Sequence, residues 1–256
     1  WLQIESTYGN RVHPKDSEND LREIIKDIAA RGSCLVVPAF AVGRTQDLIY
    51  VIRKMEDAGE IPTIPVHIDS PMAIEATDIY CRHTEEHDFE MAQLSNREHC
   101  PISSRYMVID RTPEESKAIN DLKGPLIIIS ASGMATGGRV LHHLKHRLPD
   151  PDTTVLLVGY QAEGTRGRSL QDGAKEIKML GEIVSVRARV TVLDGFSAHA
   201  DQEEILRWLR TFKKPPRMTY VVHGEPAAAS TFAGLIRERL NWKAEVAKYQ
   251  QKISLQ

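Results

Sequence analysis

Three side chains are placed for chemistry. Glu5 closes the apolar stretch "WLQIE" and is followed by Ser6, Thr7, Tyr8 and Gly9. His199 lies in "DGFSAHAD", between a strand-like run and a helix-like one, and His223 ends the run "TYVVHGEP". In α/β proteins the carboxyl ends of strands gather at one crevice, so a carboxylate and two imidazoles at three strand ends could converge. Together they could move a proton or hold a metal ion. Singly, a histidine at a strand end is more often a hydrogen-bonded structural residue.

A second set is "SASGMATGGR". A strand ends at Ser130, small residues and three glycines follow, and a helix begins near Gly138. Backbone N–H groups of Ser132, Gly133, Met134 and Thr136 would face an anion there, with the Ser130, Ser132 and Thr136 hydroxyls as further donors. No GK[ST] follows, so this is not a Walker loop, and a plain Gly-rich turn remains open. In "HHLKH", His142 and His146 have a spacing that can hold zinc, but Arg139, Lys145 and Arg147 beside them would repel a cation. A solvated or phosphate-facing basic face fits better. His83 and His87 share that spacing, near acidic residues, and the same caution.

The elements that must position these groups follow an α/β rhythm. Helices are expected over "SENDLREIIKDIAARG", with Ser17 as cap and Gly32 as stop, over "GRTQDLIYVIRKMEDAG", over "TPEESKAINDL", capped by Thr112, and over "GGRVLHHLKHRL". "CLVVPAF", "IPVHIDSP", "GPLIIISASGM" and "TTVLLVGYQ" read as strands between them, the second running into a Pro-bearing turn. "AEGTRGRSLQDGAKEI" is Gly-rich and charged. "EIVSVRARVTVLDGFS" reads as one long strand, with Val184, Val186, Ala188, Val190 and Val192 on one face. A helix, a strand, a helix from Ala227 to Leu240 and a last strand "AEVAKY" follow, which gives two subdomains joined near residues 160–190.

The 256 residues suffice for one large or two ordinary domains, and no apolar run approaches the roughly 18–20 residues of a membrane span. A net charge of −2 excludes a broadly basic nucleic-acid binder, so any polyanion site must be a local patch. Cys34, Cys81 and Cys100 are odd in number, widely spaced and without a CxxC pair, which favours free thiols in a reducing, cytoplasmic setting.

The strings "IESTYGNRVH", "PAFAVGRTQDLI", "SASGMATGGRVLHHLK", "GYQAEGTRGRSL", "GFSAHAD" and "VVHGE", in this order and across nearly the whole chain, resemble the β-CASP branch of the metallo-β-lactamase superfamily. That branch contains RNA-processing nucleases, among them the pre-mRNA 3′-end cleavage subunit and, more distantly, RNase J. The resemblance implies a parallel-sheet α/β β-CASP domain plus the C-terminal part of a metallo-β-lactamase αββα fold. Residues 1–9 would be the last strand before the insertion, 10–170 the β-CASP domain, and 171–256 the rest of the lactamase portion, with a boundary between 160 and 195. Glu5 matches the family's acidic motif A, His199 motif B and His223 motif C. By resemblance, His223 is a zinc ligand, His199 the general acid, and Glu5 its hydrogen-bonding partner. The "SASGM" loop and Arg44 would bind RNA backbone phosphates across a cleft.

The family's HxHxDH metal motif precedes motif A, and it does not occur in this sequence. The expectation is therefore a C-terminal part of a longer enzyme. The intact enzyme would hold two zinc ions, this chain none or an incomplete set. The partners would be RNA, the missing N-terminal half and a further copy of the chain, as a homo-oligomer that covers the exposed Val184–Val192 face, with no membrane. A metal-free RNA-binding or dimerisation module stays open as the alternative. An unrelated α/β phosphate-binding enzyme would need a complete catalytic set of its own, which the sequence does not offer.

Overall fold

The computed structural model describes residues 1–89, 91–92 and 100–254. Its strands are β1 (Leu2–Glu5), β2 (Cys34–Pro38), β3 (Val66–Ile68), β4 (Met107–Ile109), β5 (Leu126–Ser130), β6 (Thr154–Val158), β7 (Glu176–Met179), β8 (Glu182–Ser185), β9 (Arg189–Leu193), β10 (Thr219–Val222) and β11 (Ala244–Val246). They divide between two compact units, residues 16–196 and residues 1–15 with 197–256.

The large unit is built on a six-stranded sheet in the order β4-β3-β5-β2-β6-β9, with every neighbouring pair parallel. Its central strands β2, β5 and β6 are buried at every position and mostly apolar, because both faces are covered. Leu35 and Val37, Ile127 and Ile129, and Leu156 and Val158 face one core with helices Ser17–Arg31, Arg44–Asp57 and Pro71–Arg82. The alternate residues Cys34 and Val36, Leu126 and Ile128, and Val155 and Leu157 face a second core with helix Val140–Arg147. From β2 the chain passes beyond β5 to reach β3, and from β5 it passes beyond β2 to reach β6. The connections thus diverge between β2 and β5, which makes their carboxyl ends the topological switch point of the sheet.

Several expectations change. The stretch expected as one long strand is two: β8 pairs with β7 in a hairpin, and β9 is the edge strand beside β6. Val184, Val186, Ala188, Val190 and Val192 do share a face, but that face packs into the second core. Val184 and Ala188 are buried there, and Val186, Val190 and Val192 are partly buried against the same core. By compactness the chain divides after Lys15 and Phe196, because β9 completes the large sheet. Finally, Cys81 and Cys100 are joined in a disulfide with Cα atoms 5.5 Å apart, and only Cys34 is free among the described cysteines. Three cysteines can hold one bridge and one free thiol, so the odd count did not exclude pairing.

The helices form close to where their caps predict. Thr112 and Glu115 form a reciprocal capping box, and Gly32 stops the first helix. Helix Pro71–Arg82 occupies the stretch read as a turn; Ser70 caps it and Pro71 takes its first position. No described helix is long and apolar enough to cross a membrane.

The small unit carries a three-stranded parallel sheet, order β1-β10-β11. Leu206 and Leu209 of helix Gln202–Leu209 and Phe232 and Ile236 of helix Pro226–Leu240 share one core with Val221 of the sheet.

Candidate functional site

In the small unit β1 and β10 run in register, Glu5 opposite Val222. The chain therefore leaves both strands side by side, and Glu5 and His223 emerge together. Two backbone features hold them. The Ser6 amide donates to the His223 carbonyl at 3.3 Å, and the Ser6 hydroxyl donates to the Val222 carbonyl at 2.9 Å. His223 itself has φ +49°, and a side chain at Gly224 would come within 2.3 Å of Ser6 Oγ, so glycine there lets β1 and the His223 turn close on each other.

His199 arrives from the segment before helix Gln202–Leu209. Asp201 caps that helix, accepting from the Glu203 and Glu204 amides while Glu204 bonds back to the Asp201 amide. Asp201 also accepts from the His13 amide at 2.7 Å, and His13 Nε2 donates to the His199 carbonyl at 2.9 Å. Burial pushes the Asp201 carboxyl up, but the amides of Glu204, His13 and Glu203 outweigh it and hold the group below the usual carboxylate range. The backbone carrying His199 is thus pinned from two sides.

The result is a compact polar cluster. Glu5 Oε1 lies 3.2 Å from His199 Nδ1, and Glu5 Oε2 accepts from the Thr7 amide at 2.8 Å and lies 4.0 Å from His223 Nδ1. Thr7 Oγ1 donates to the His223 carbonyl and lies 3.1 Å from His223 Nδ1. The two imidazoles stack, centroids 5.4 Å apart at 25°. Both rings are well exposed, His223 more than His199, while Glu5 is half-buried beneath them. Both Nδ1 atoms are turned to Glu5 and Thr7, and neither Nε2 atom has a hydrogen-bond partner among the described residues. Glu5, His199 and His223 bring ligand atoms within 4.8 Å of one another, the only such group among the described residues. Two imidazoles and a carboxylate suit zinc in donor type.

In the large unit the residues of the expected anion loop occupy the carboxyl end of β5. Ser130 is buried, and its hydroxyl donates to the Asp69 carbonyl at 2.7 Å. Ser132 Oγ accepts from the Thr136 and Gly137 amides, the Ser132 amide donates to the Gly137 carbonyl, and the Ala135 amide donates to the Ser132 carbonyl. These bonds shape the loop and turn several amides inward. The amides of Gly133 and Met134 have no protein acceptor among the described residues. Arg44 opens the helix after β2, its guanidinium mostly buried and 3.1 Å from Asp47.

Beneath this loop is a network that the sequence reading missed. Asp69, fully buried, accepts from His143 Nε2 at 2.7 Å, Ser116 Oγ at 2.6 Å and Arg139 at 2.6 Å. His143 Nδ1 meets the Asn120 carboxamide at 2.9 Å, and Arg139 also donates to the carbonyls of Asp110 and Arg111. Burial pushes the Asp69 carboxyl up, but the bonds from His143, Ser116 and Arg139 hold it below its ordinary value. His67 and Asp110 form a second buried pair at 2.9 Å. The clue lay in "VLHHLKHR": Val140, His143, Leu144 and Arg147 share the buried face of that helix, while His142 and His146 are exposed. His83 pairs with Glu85 at 2.8 Å and His87 with the Tyr80 carbonyl at 2.8 Å, both exposed.

The comparisons with known proteins agree with this architecture. Residues 45–170 match the model of the Beta-Casp domain, and residues 183–247 match that of the Zn-dependent metallo-hydrolase RNA specificity domain. A ribonuclease of Thermus thermophilus is 37% identical over 227 residues, covering 86% of this chain and 50% of the relative. The transcription termination factor FttA of Methanosarcina mazei is 34% identical over 247 residues, covering 92% of this chain and 38% of the relative. An RNase J-like protein of Methanocaldococcus jannaschii is 34% identical over 243 residues, covering 93% and 55%. The chain thus spans about half the length, or less, of these relatives. Two family models in the expected order, set on a parallel α/β sheet and a carboxylate–histidine cluster, place the chain in the β-CASP branch of the metallo-β-lactamase superfamily.

Proposed function

We propose that this chain supplies the proton-transfer and RNA-holding parts of a zinc-dependent enzyme that hydrolyses RNA phosphodiester bonds. The observation that carries the reading is the 3.2 Å contact of Glu5 with His199 Nδ1, which leaves His199 Nε2 without a protein partner among the described residues, its ring stacked on that of His223. A carboxylate on Nδ1 fixes the ring, so that a proton held at Nε2 can pass to a leaving oxygen. His223, its Nδ1 held by Thr7, would offer Nε2 to a zinc ion. Zinc, when bound, polarises a phosphodiester and lowers the pKa of a bound water. Glu5 orients His199. Gly133 and Met134 amides would receive a backbone phosphate, with Ser132 and Thr136 shaping the loop and Arg44 adding charge; such contacts position a strand without reading its bases. The names of the relatives, a ribonuclease and an RNase J-like protein, support RNA as substrate.

Glu5 is already engaged by Thr7 and His199, so the cluster leaves two open imidazole nitrogens, fewer than the three protein ligands of a typical catalytic zinc site. The 256-residue chain should therefore bind single-stranded RNA without cleaving it, at any zinc concentration. Steady cleavage by the purified chain, abolished by a chelator, would show that it carries a complete site.

A further inference from the structure

Phe40 is an apolar ring in an unexpected place. It follows β2 and leaves 47% of its surface exposed, at the switch point where the β2 and β5 connections diverge. Its backbone is fixed: the Phe40 carbonyl accepts from the Thr45 amide at 3.2 Å and the Thr45 hydroxyl at 2.8 Å, and the Ala39 amide donates to the Ser130 carbonyl at 3.0 Å. Its ring lies along the loop after β5. A Cβ at Gly133 would sit 3.0 Å from Phe40 Cδ2 and 3.1 Å from the Phe40 amide nitrogen, so any side chain there would crowd the ring, which glycine avoids. The neighbouring Val42 is also exposed, at 57%.

An exposed aromatic ring therefore stands directly against Gly133, whose amide, like that of the next residue Met134, has no protein acceptor among the described residues. One neighbour suits an anion and the other a flat apolar surface. A nucleotide unit has both, a phosphate and a base, and the crevice at a switch point is where α/β sheets receive such ligands. We propose that Phe40 is a nucleobase-stacking platform, taking the base next to a phosphate seated at Gly133–Met134 in a single-stranded RNA. The proposal rests on the RNA-holding role given to that loop. Stacking tolerates any base, so the site would add affinity without sequence preference.

The test compares a short oligouridylate with an abasic ribose-phosphate strand of equal length, by fluorescence anisotropy at low salt, on the whole chain. The chain should bind the RNA more tightly than the abasic strand. Phe40→Ala should weaken the RNA by roughly 5- to 150-fold, the range of one base–aromatic stack, and leave the abasic strand unchanged. Phe40→Trp should keep RNA binding, and the new indole should be quenched by RNA but not by the abasic strand. If the abasic strand binds as tightly as RNA, the stacking proposal fails while the phosphate-binding loop stands. Should RNA bind and lose affinity in Phe40→Ala while the abasic strand never binds, the platform stands and the phosphate reading of the loop falls. Equal loss on both strands would make Phe40 a support of the loop and overturn the proposal, as would binding of neither strand. A Phe40→Ala chain that changes its sedimentation but not its RNA affinity would assign the ring to a protein contact instead.

Discussion

Glu5 with His199 and Asp69 with His143 are the same two chemical groups at similar separations, 3.2 and 2.7 Å. Their surroundings differ. Asp69 and His143 are completely buried, and both atoms of each that can bond have partners: Ser116, Arg139 and His143 on the carboxylate, Asp69 and Asn120 on the ring. Glu5 and His199 lie at the surface, and the outer nitrogen of His199 has no protein partner among the described residues. A saturated pair in low dielectric is costly to disturb and useful for holding elements in place. An unsaturated pair at the surface can exchange a proton with something that arrives. Saturation thus separates the two pairs, where residue type and distance do not.

The largest effect that can break this comparison lies in catalysis. In the enzyme with its full zinc complement, His199→Ala should lower turnover by roughly 10²–10⁴-fold, the usual worth of a positioned general acid, and leave zinc content unchanged. The loss should shrink on phosphodiesters with activated leaving groups, which need no proton. His223→Ala should lose zinc, and no leaving group should restore it. Glu5→Gln should resemble His199→Ala in milder form. Metal analysis beside kinetics on both substrate types decides; zinc lost from His199→Ala and kept in His223→Ala would reverse the two roles.

Stability should show the opposite ranking. Asp69→Ala removes the acceptor of Arg139, His143 and Ser116, and breaking a buried pair on one side typically costs about 3–5 kcal/mol. His199→Ala, at the surface, should change unfolding by no more than about 0.5 kcal/mol. Urea denaturation measures both. An Asp69→Ala chain as stable as the parent would remove the structural reading of the buried pair.

How far the sequence shows this division depends on what each pair leaves in it. Glu5 and His223 stand at strand ends beside turns, so topology alone suggests that they meet, and β1 and β10 do bring them together, while His199 comes from the segment before a helix rather than from a strand end. The central strands are legible because a sheet covered on both faces needs unbroken apolar runs. Asp69 is not legible: "HIDSP" looks like any polar strand end, and its partners lie 47 to 74 residues away. β4 and β7 were missed for a related reason: each is short, and β7 alternates exposed and buried residues inside a charged stretch. The break between β8 and β9 leaves no mark because Val186 keeps the alternation running through it.

Acid should expose the same distinction more gently. Asp69 and Asp201 both have carboxyls held below the ordinary range in the folded chain. A depressed folded pKa adds stability above the unfolded value of about 3.9, and this is lost as pH falls through the lower folded value. Stability should therefore be level from neutrality to about pH 5 and decline below pH 4. Asp69→Asn and Asp201→Asn should each flatten that decline. A chain whose acid transition is the same with both replaced would place the responsible carboxylates elsewhere.

The smallest effect concerns the sulfurs, where filled and open positions can be counted directly. Cys81 and Cys100 are bonded to each other, and Cys34 is buried in β2 against the second core. Burial pushes the Cys34 thiol up to about 11, against a weaker opposing pull from Arg147. The thiolate is the reactive form, so at pH 8 this residue is both neutral and inaccessible. Iodoacetamide should label no cysteine in the native chain, one in the unfolded chain without reductant, and all three after reduction. Mass spectrometry counts the labels. Labelling of three thiols in the unfolded, unreduced chain would show that Cys81 and Cys100 are not joined, and would return the cysteines to the free state expected from their odd number. Rapid native labelling of Cys34 would show that β2 opens readily, which a strand at the centre of a six-stranded sheet, covered on both faces, should not do.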